Sequence, residues 1–284
     1  MTRHDVVIVH GVQNWMPGAL PAEAAAALAD GWSARLAAGY AAAGLGHVPP
    51  PRVHAAYYAD LLNNAESQAP QDDDVDGLGP GTQALLLDWL RATGLPPEPD
   101  DGQAWGTMPV RQALSWFASR RGMPSKVLAR IAVALLPEVY TYLTSPKRRA
   151  AAREVVADTV RASGARVIVA HSLGSVVTYE ALHAHELPGV ELLVTLGSPL
   201  GLPGAVFDAL EPAPAGGRGS RPPGLARWVN IADPGDLVAV PRRLGDRFAV
   251  DSHHEAHIAA VDFHTMGSYL NCGLTATALA PYLS

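Results

Sequence analysis

The sequence predicts an α/β fold, with a mainly parallel central sheet flanked by helices and one large helical insertion. Three observations carry this. Short apolar runs rich in β-branched residues recur along the chain: DVVIV, RVIVA, ELLVTL and ARWVNIA. Runs of that length and composition are those of strands buried on both faces. Helical patterns separate them, and such alternation implies right-handed crossovers and parallel pairing. Polar residues also gather where the runs end: His10, Ser172, Ser198, Asp233, Asp236 and His264. In open parallel sheets, sites form at the carboxyl ends of the strands.

The elements follow in order. A strand at 5–9 leads into HGVQNW, and an Ala-rich helix at 21–43 aligns Leu28, Trp32 and Leu36 on one face. A second strand is expected at 53–58. The next segment, 61–145, differs in kind. It opens on an acidic, Gly-rich loop (QDDDVDGLGPG) and holds helical patches at 82–93, 109–121 and 125–143. Its stretch IAVALLPEVYTYL is the most apolar helix candidate in the chain. An ordinary crossover needs only about a dozen residues, and this one has about 85. Residues 1–60 and 146–284 are therefore read as the core, and 61–145 as an insertion, a candidate lid or cap. Within it, IAVALLPEVYTYL and LSWF would line an apolar pocket, with DGLGPG and GLPPEPDDG as flexible joints. A helix at 147–163 leads to the strand at 166–170, and a further helix starts near 174. VELLVTLGSPLG is a buried strand ending in a tight turn, EPAPAGGRGSRPPG has the composition of a disordered loop, and ARWVNIA is the next strand. A strand at 256–261 and a helix from 266 complete the pattern.

Composition narrows the function. The chain has 284 residues, 48% of them apolar and 17% charged, which allows a sizeable core. A net charge of −6 argues against a nucleic-acid binder. The single cysteine, Cys272, excludes an intrachain disulfide and fits a reducing, cytoplasmic compartment. Cys272 itself is expected inside a helix as a small buried hydrophobe. MTRHDVVIVHG lacks a cationic region followed by a long apolar stretch, so no signal peptide is expected. No apolar run reaches about 18 residues, so no transmembrane segment is expected either. Heavy Ala, Gly, Pro and Arg usage suggests a GC-rich bacterial genome.

The turn A-H-S-L-G, 170–174, is the most informative stretch. A serine between a buried strand and a helix sits on a turn so tight that residues two before and two after it must be small. Ala170 and Gly174 meet that need, giving the Ala variant of a nucleophile elbow. The competing reading is a helix N-cap serine.

With VIVHG, VIVAHSLG, LLVTLGSP, DLVAVP and a late histidine in the order Ser, Asp, His, the chain resembles the α/β-hydrolases. The resemblance is to lipase-like members that lack the first two strands. It spans about 180 residues and leaves 61–145 unmatched. It implies that Ser172 attacks an acyl carbon, that His264 accepts and returns its proton, and that an Asp holds the imidazole in the right tautomer. Asp236 matches the lipase spacing; Asp233, nearer the strand end, is the alternative acid or a turn cap. The backbone N–H groups of Val12 and Leu173 would form the oxyanion hole, with Gly11 allowing close approach and His10 ordering the loop.

Other residues compete for these roles. His171 precedes the nucleophile, at a position expected to point away from the base. Asp262 is too local to His264 to be its partner. His253, His254 and His257 invite a zinc reading, but ligands four apart need a helix, and this stretch has the pattern of a loop entering a strand. No metal and no cofactor are expected. The expected partner is a small-molecule or lipid-like acyl ester, with no nucleic acid; the oligomeric state stays open. A peptidase or amidase with the same residues, or a non-catalytic binding protein on this fold, remain alternatives.

Overall fold

In the computed structural model, which describes residues 4–63, 74–95, 110–258 and 264–283, six parallel strands form one sheet in the order β2-β1-β3-β4-β5-β6. The strands are β1 (Asp5–Val9), β2 (Arg52–Ala56), β3 (Val167–His171), β4 (Leu192–Leu196), β5 (Arg227–Ala232) and β6 (Ser252–Glu255). The expected α/β class with a parallel sheet is what forms.

Side chains alternate along each strand and feed two apolar layers. Val6, Ile8, Val167, Val169, Leu192, Val194, Val229 and Ile231 face a layer containing α1 (Pro21–Ala42) and α8 (Met266–Asn271). Val7, Val9, Ile168, Ala170, Leu193 and Trp228 face the other layer, with α6 (Pro146–Ser163) and α7 (Leu173–Ala184). Three helices of the 61–145 segment share this second layer after the short α2 (Ala59–Leu62): α3 (Pro80–Ala92), α4 (Val110–Arg120) and α5 (Ser125–Thr144). They build no separate core. Their buried faces continue the apolar cluster that covers the sheet.

Strand order explains where a site can lie. From β1 the chain crosses by α1 to β2 on one side, then returns through α6 to β3 on the other. The connections after β1 and β3 therefore part company, leaving a crevice at the carboxyl edge between them. His10–Gly11 leaves β1 there, and Ser172 leaves β3.

Several expectations change. Of the expected strand at 256–261, residues 256–258 are not in a strand and 259–261 lie outside the described residues; the last strand among the described residues is β6, at 252–255. Its register is set by Asp251, whose carboxylate accepts the Trp228 N–H at 2.7 Å just before pairing begins. An edge strand with one neighbour tolerates the polar SHHE that an apolar search passes over. Residues 259–263, with Asp262, lie outside the described residues. The EPAPAGGRGSRPPG loop is ordered by Arg221, whose guanidinium donates to the carbonyls of Leu225, Ala226 and Ala249 and to Asp251. Cys272 is the half-buried C-cap of α8, its thiol donating to the Tyr269 carbonyl at 3.1 Å. LSWF contributes Leu114 and Phe117 to the core, and neither lines the cavity at Ser172. Of the proposed joints, DGLGPG (76–81) runs from a 3-10 turn at Val75–Gly77 through buried Leu78 into the start of α3, while 96–102 of GLPPEPDDG lie outside the described residues. By length and composition alone α5, at 20 residues, is long and apolar enough to cross a membrane. Here α5 packs against its neighbours α3, α4 and α6.

Candidate active site

Ser172 occupies the turn between β3 and α7 with φ 51° and ψ −130°, a conformation costly for a residue with a side chain. The turn is closed by close approach. A Cβ at Gly174 would lie 2.2 Å from the His10 carbonyl oxygen, and one at Gly11 would lie 2.7 Å from Ser172 Cβ. Only glycine lets the β1 and β3 connections meet. Under the turn, Ser175 Oγ donates to the Ser172 carbonyl at 2.6 Å, and its own oxygen lies 2.7 Å from Ser198 Oγ. Ser175's proton is committed to a carbonyl, so Ser198 donates to Ser175. Ser198 in turn accepts the Leu200 N–H at 3.3 Å.

His264, Asp236 and Ser172 meet as the sequence expects. His264 Nδ1 lies 2.7 Å from Asp236 Oδ2, and Nε2 lies 2.9 Å from Ser172 Oγ. An ionised carboxylate only accepts, so Nδ1 carries the proton and Nε2 is free to accept from the serine. Asp236 is fully buried and well satisfied. Oδ1 accepts the N–H groups of Val238 and Ala239 at 2.9 and 3.3 Å, and Oδ2 also accepts the Tyr269 hydroxyl at 2.8 Å. Burial, then the Asp236 charge, pushes the Tyr269 phenol far up, so it stays a donor.

Asp233 is engaged elsewhere. Its Oδ1 accepts the Gly235 N–H at 2.6 Å and its Oδ2 the Ile258 N–H at 2.5 Å, and its own N–H donates to Tyr269 at 3.0 Å. It caps its turn, and among the described residues its carboxylate makes no hydrogen bond to His264.

His171 corrects an expectation. Strand alternation sends its ring to the face shared with Val167 and Val169, beneath α8, and there it lies 4.8 Å from the His264 ring rather than pointing away. Burial, and next the charge of His264, hold its pKa well below 6.5.

His10 orders the loop after β1. Its Nδ1–H donates to the Gly11 carbonyl at 2.6 Å, its Nε2 accepts the Tyr58 N–H at 3.1 Å, and the Tyr58 hydroxyl donates to the His10 carbonyl at 2.6 Å. Burial pushes its pKa down to about 4. Between pH 6.5 and 4 the unfolded chain therefore binds a proton that the folded protein refuses, and stability falls as pH drops through that window. The contribution is about 3 kcal/mol. Urea unfolding at pH 8, 6 and 4.5 should show the decline, with a shallower slope in His10→Gln; an equal slope would remove His10 as its source.

Val12 and Leu173 border the same cavity as Ser172. The Leu173 N–H opens α7 and so has no partner within its helix. The cavity is apolar, about 510 Å³ counted to its open mouth. Leu85 and Trp89 of α3, and Ile131, Leu135, Leu136 and Val139 of α5, form much of its wall. The expectation that IAVALLPEVYTYL borders a pocket thus holds geometrically.

His253 and His254 sit in β6, where successive side chains face opposite ways, and His253 bonds Asn230 and Glu255. Among the described residues, no group of three or more His, Cys, Asp or Glu is placed to hold a metal.

Sequence reading missed Tyr269, Ser175, Tyr58, Gln13 and Glu138. The first three carry no signal beyond that of core residues. Gln13 and Glu138 meet across 125 positions, the Gln13 N–H donating to Glu138 Oε1 at 3.0 Å. Comparisons with protein-family models, curated proteins and solved structures found no match for this chain.

Proposed function

We propose that the protein is a serine hydrolase of the α/β-hydrolase type that cleaves a carboxylic ester with a lipophilic acyl group. One observation carries the reading: a hydrogen-bonded Ser172–His264–Asp236 chain opens onto an apolar cavity. Ser172 Oγ attacks the acyl carbon while its proton passes to His264 Nε2, and Asp236 stabilises the resulting imidazolium. The carbonyl oxygen becomes an oxyanion that the Val12 and Leu173 N–H groups receive. As the intermediate collapses, the bond to the alcohol breaks and His264 gives that oxygen its proton, leaving an acyl-serine. Water then repeats the sequence, losing a proton to His264, and the acid departs as Ser172 regains its hydrogen.

The same residues would cleave an amide. The apolar wall beside Ser172 favours an acyl chain over a peptide, whose amide groups would lose hydrogen bonds there. In this reading α3–α5 act as a cap. The Trp89 indole N–H donates to the Leu237 carbonyl at 2.9 Å, beside the acid, and Glu138 bonds the loop after β1, so the segment is tied to both sides of the site.

Burying each methylene gains about 0.8 kcal/mol. Catalytic efficiency on nitrophenyl esters should therefore rise with acyl length until the cavity is full, then level off. Leu135→Asp and Leu136→Asp should flatten the rise and spare the acetyl ester. A flat profile in wild type, unchanged in both variants, would overturn the acyl-pocket reading. A fluorophosphonate that fails to add its mass at Ser172 would overturn the hydrolase reading itself.

A further inference from the structure

We infer that Glu138 is a positioning residue for the oxyanion loop, so that the helical cap and not the sheet alone completes the reacting site; the inference rests on the hydrolase reading above. The loop after β1 is strained where it matters. Gln13 has φ 62°, in the left-handed region that a side chain disfavours, and it directly follows Val12. Such an outlier persists only where its surroundings hold it.

Three side chains do so. His10 Nδ1 binds the Gly11 carbonyl, and Asn14 Nδ2 donates to the carbonyls of Gly11 and Val12 at 3.2 and 2.8 Å. These fix acceptors of the loop. Glu138 is different: it takes the Gln13 N–H, and so sets the plane of the peptide joining Val12 to Gln13. That peptide begins at the residue whose own N–H is to receive the oxyanion.

Placement argues for more than a chance contact. Glu138 is 8% exposed on an apolar helix. Leu135, Leu136 and Val139 around it border the cavity. A carboxyl at such a position costs stability unless it is hydrogen-bonded; the Gln13 N–H meets it at 3.0 Å, and the Asn63 side chain also bonds it.

The test compares three variants on a nitrophenyl ester and on an alkylboronic acid, whose serine adduct puts a tetrahedral oxygen where the oxyanion would lie. Glu138→Leu should lower kcat about 10²-fold, the scale of losing or misplacing one oxyanion donor. KM should stay unchanged, and boronate affinity should weaken in step with kcat. Glu138→Asp withdraws the acceptor by one methylene and keeps the charge; it should lose kcat likewise, and it decides the matter should Glu138→Leu not fold. Glu138→Gln keeps an acceptor oxygen and should stay close to wild type. Active wild type with an unimpaired Glu138→Asp, or a loss appearing in KM alone, overturns the inference and leaves the hydrolase reading intact. Wild type inert to both ester and boronate overturns both.

Discussion

Ser172→Ala is expected to fold as wild type does and to hydrolyse esters about 10⁶-fold more slowly, the usual cost of removing a serine nucleophile. Among the described residues its hydroxyl makes one bond, to His264 Nε2, and Ser172 lines the cavity. Alanine keeps the Cβ and the same positive-φ turn, which Ser175 and Ser198 hold from below through the backbone carbonyl rather than the side chain. The change in unfolding free energy should therefore stay within about 1 kcal/mol. Stopped assays with enzyme in large excess can follow residual turnover, and thermal melts can follow the fold. A variant retaining a tenth of the activity would exclude Ser172 as the nucleophile.

Much of this geometry was legible in the chain because it is local or patterned. The elbow is spelled in five consecutive residues, where Ala170, Ser172 and Gly174 each answer a steric demand of one turn. The four apolar strands β1, β3, β4 and β5 announce themselves through burial on both sides. Long-range order is what stayed hidden. β6 at 252–255 carries no sequence signal, because its pairing starts where Asp251 binds the Trp228 N–H and polar edge residues show no apolar pattern. His171 was turned the wrong way because pleat alternation gives a side chain's face, while which helix covers that face is a tertiary matter. Glu138 gave no signal at all: within IAVALLPEVYTYL it is the one carboxylate, and only the folded loop shows the N–H that it meets.

The two aspartates that the sequence left in competition should separate cleanly, by turnover in one case and by stability in the other. Asp236→Asn should lower kcat by about 10⁴-fold, as when a triad acid becomes an amide. The amide has a forced orientation. Its oxygen must face the N–H groups of Val238 and Ala239, which leaves Nδ2 pointing at His264. An NH₂ there donates to Nδ1, so the ring proton moves to Nε2, the nitrogen that has to accept from Ser172. Tyr269 also loses the carboxylate it donates to, so some destabilisation accompanies the loss. Asp233→Asn has the opposite signature. Both of its oxygens accept backbone N–H groups, from Gly235 and Ile258, and the NH₂ of asparagine must face one of them. That leaves a donor against a donor, costing about 1–3 kcal/mol of stability, while Ser172 and His264 remain paired and turnover per folded molecule is kept. Measuring kcat and melting temperature together on both variants distinguishes the roles. Should Asp233→Asn lose the greater turnover while Asp236→Asn keeps its own, the acid has been assigned to the wrong residue.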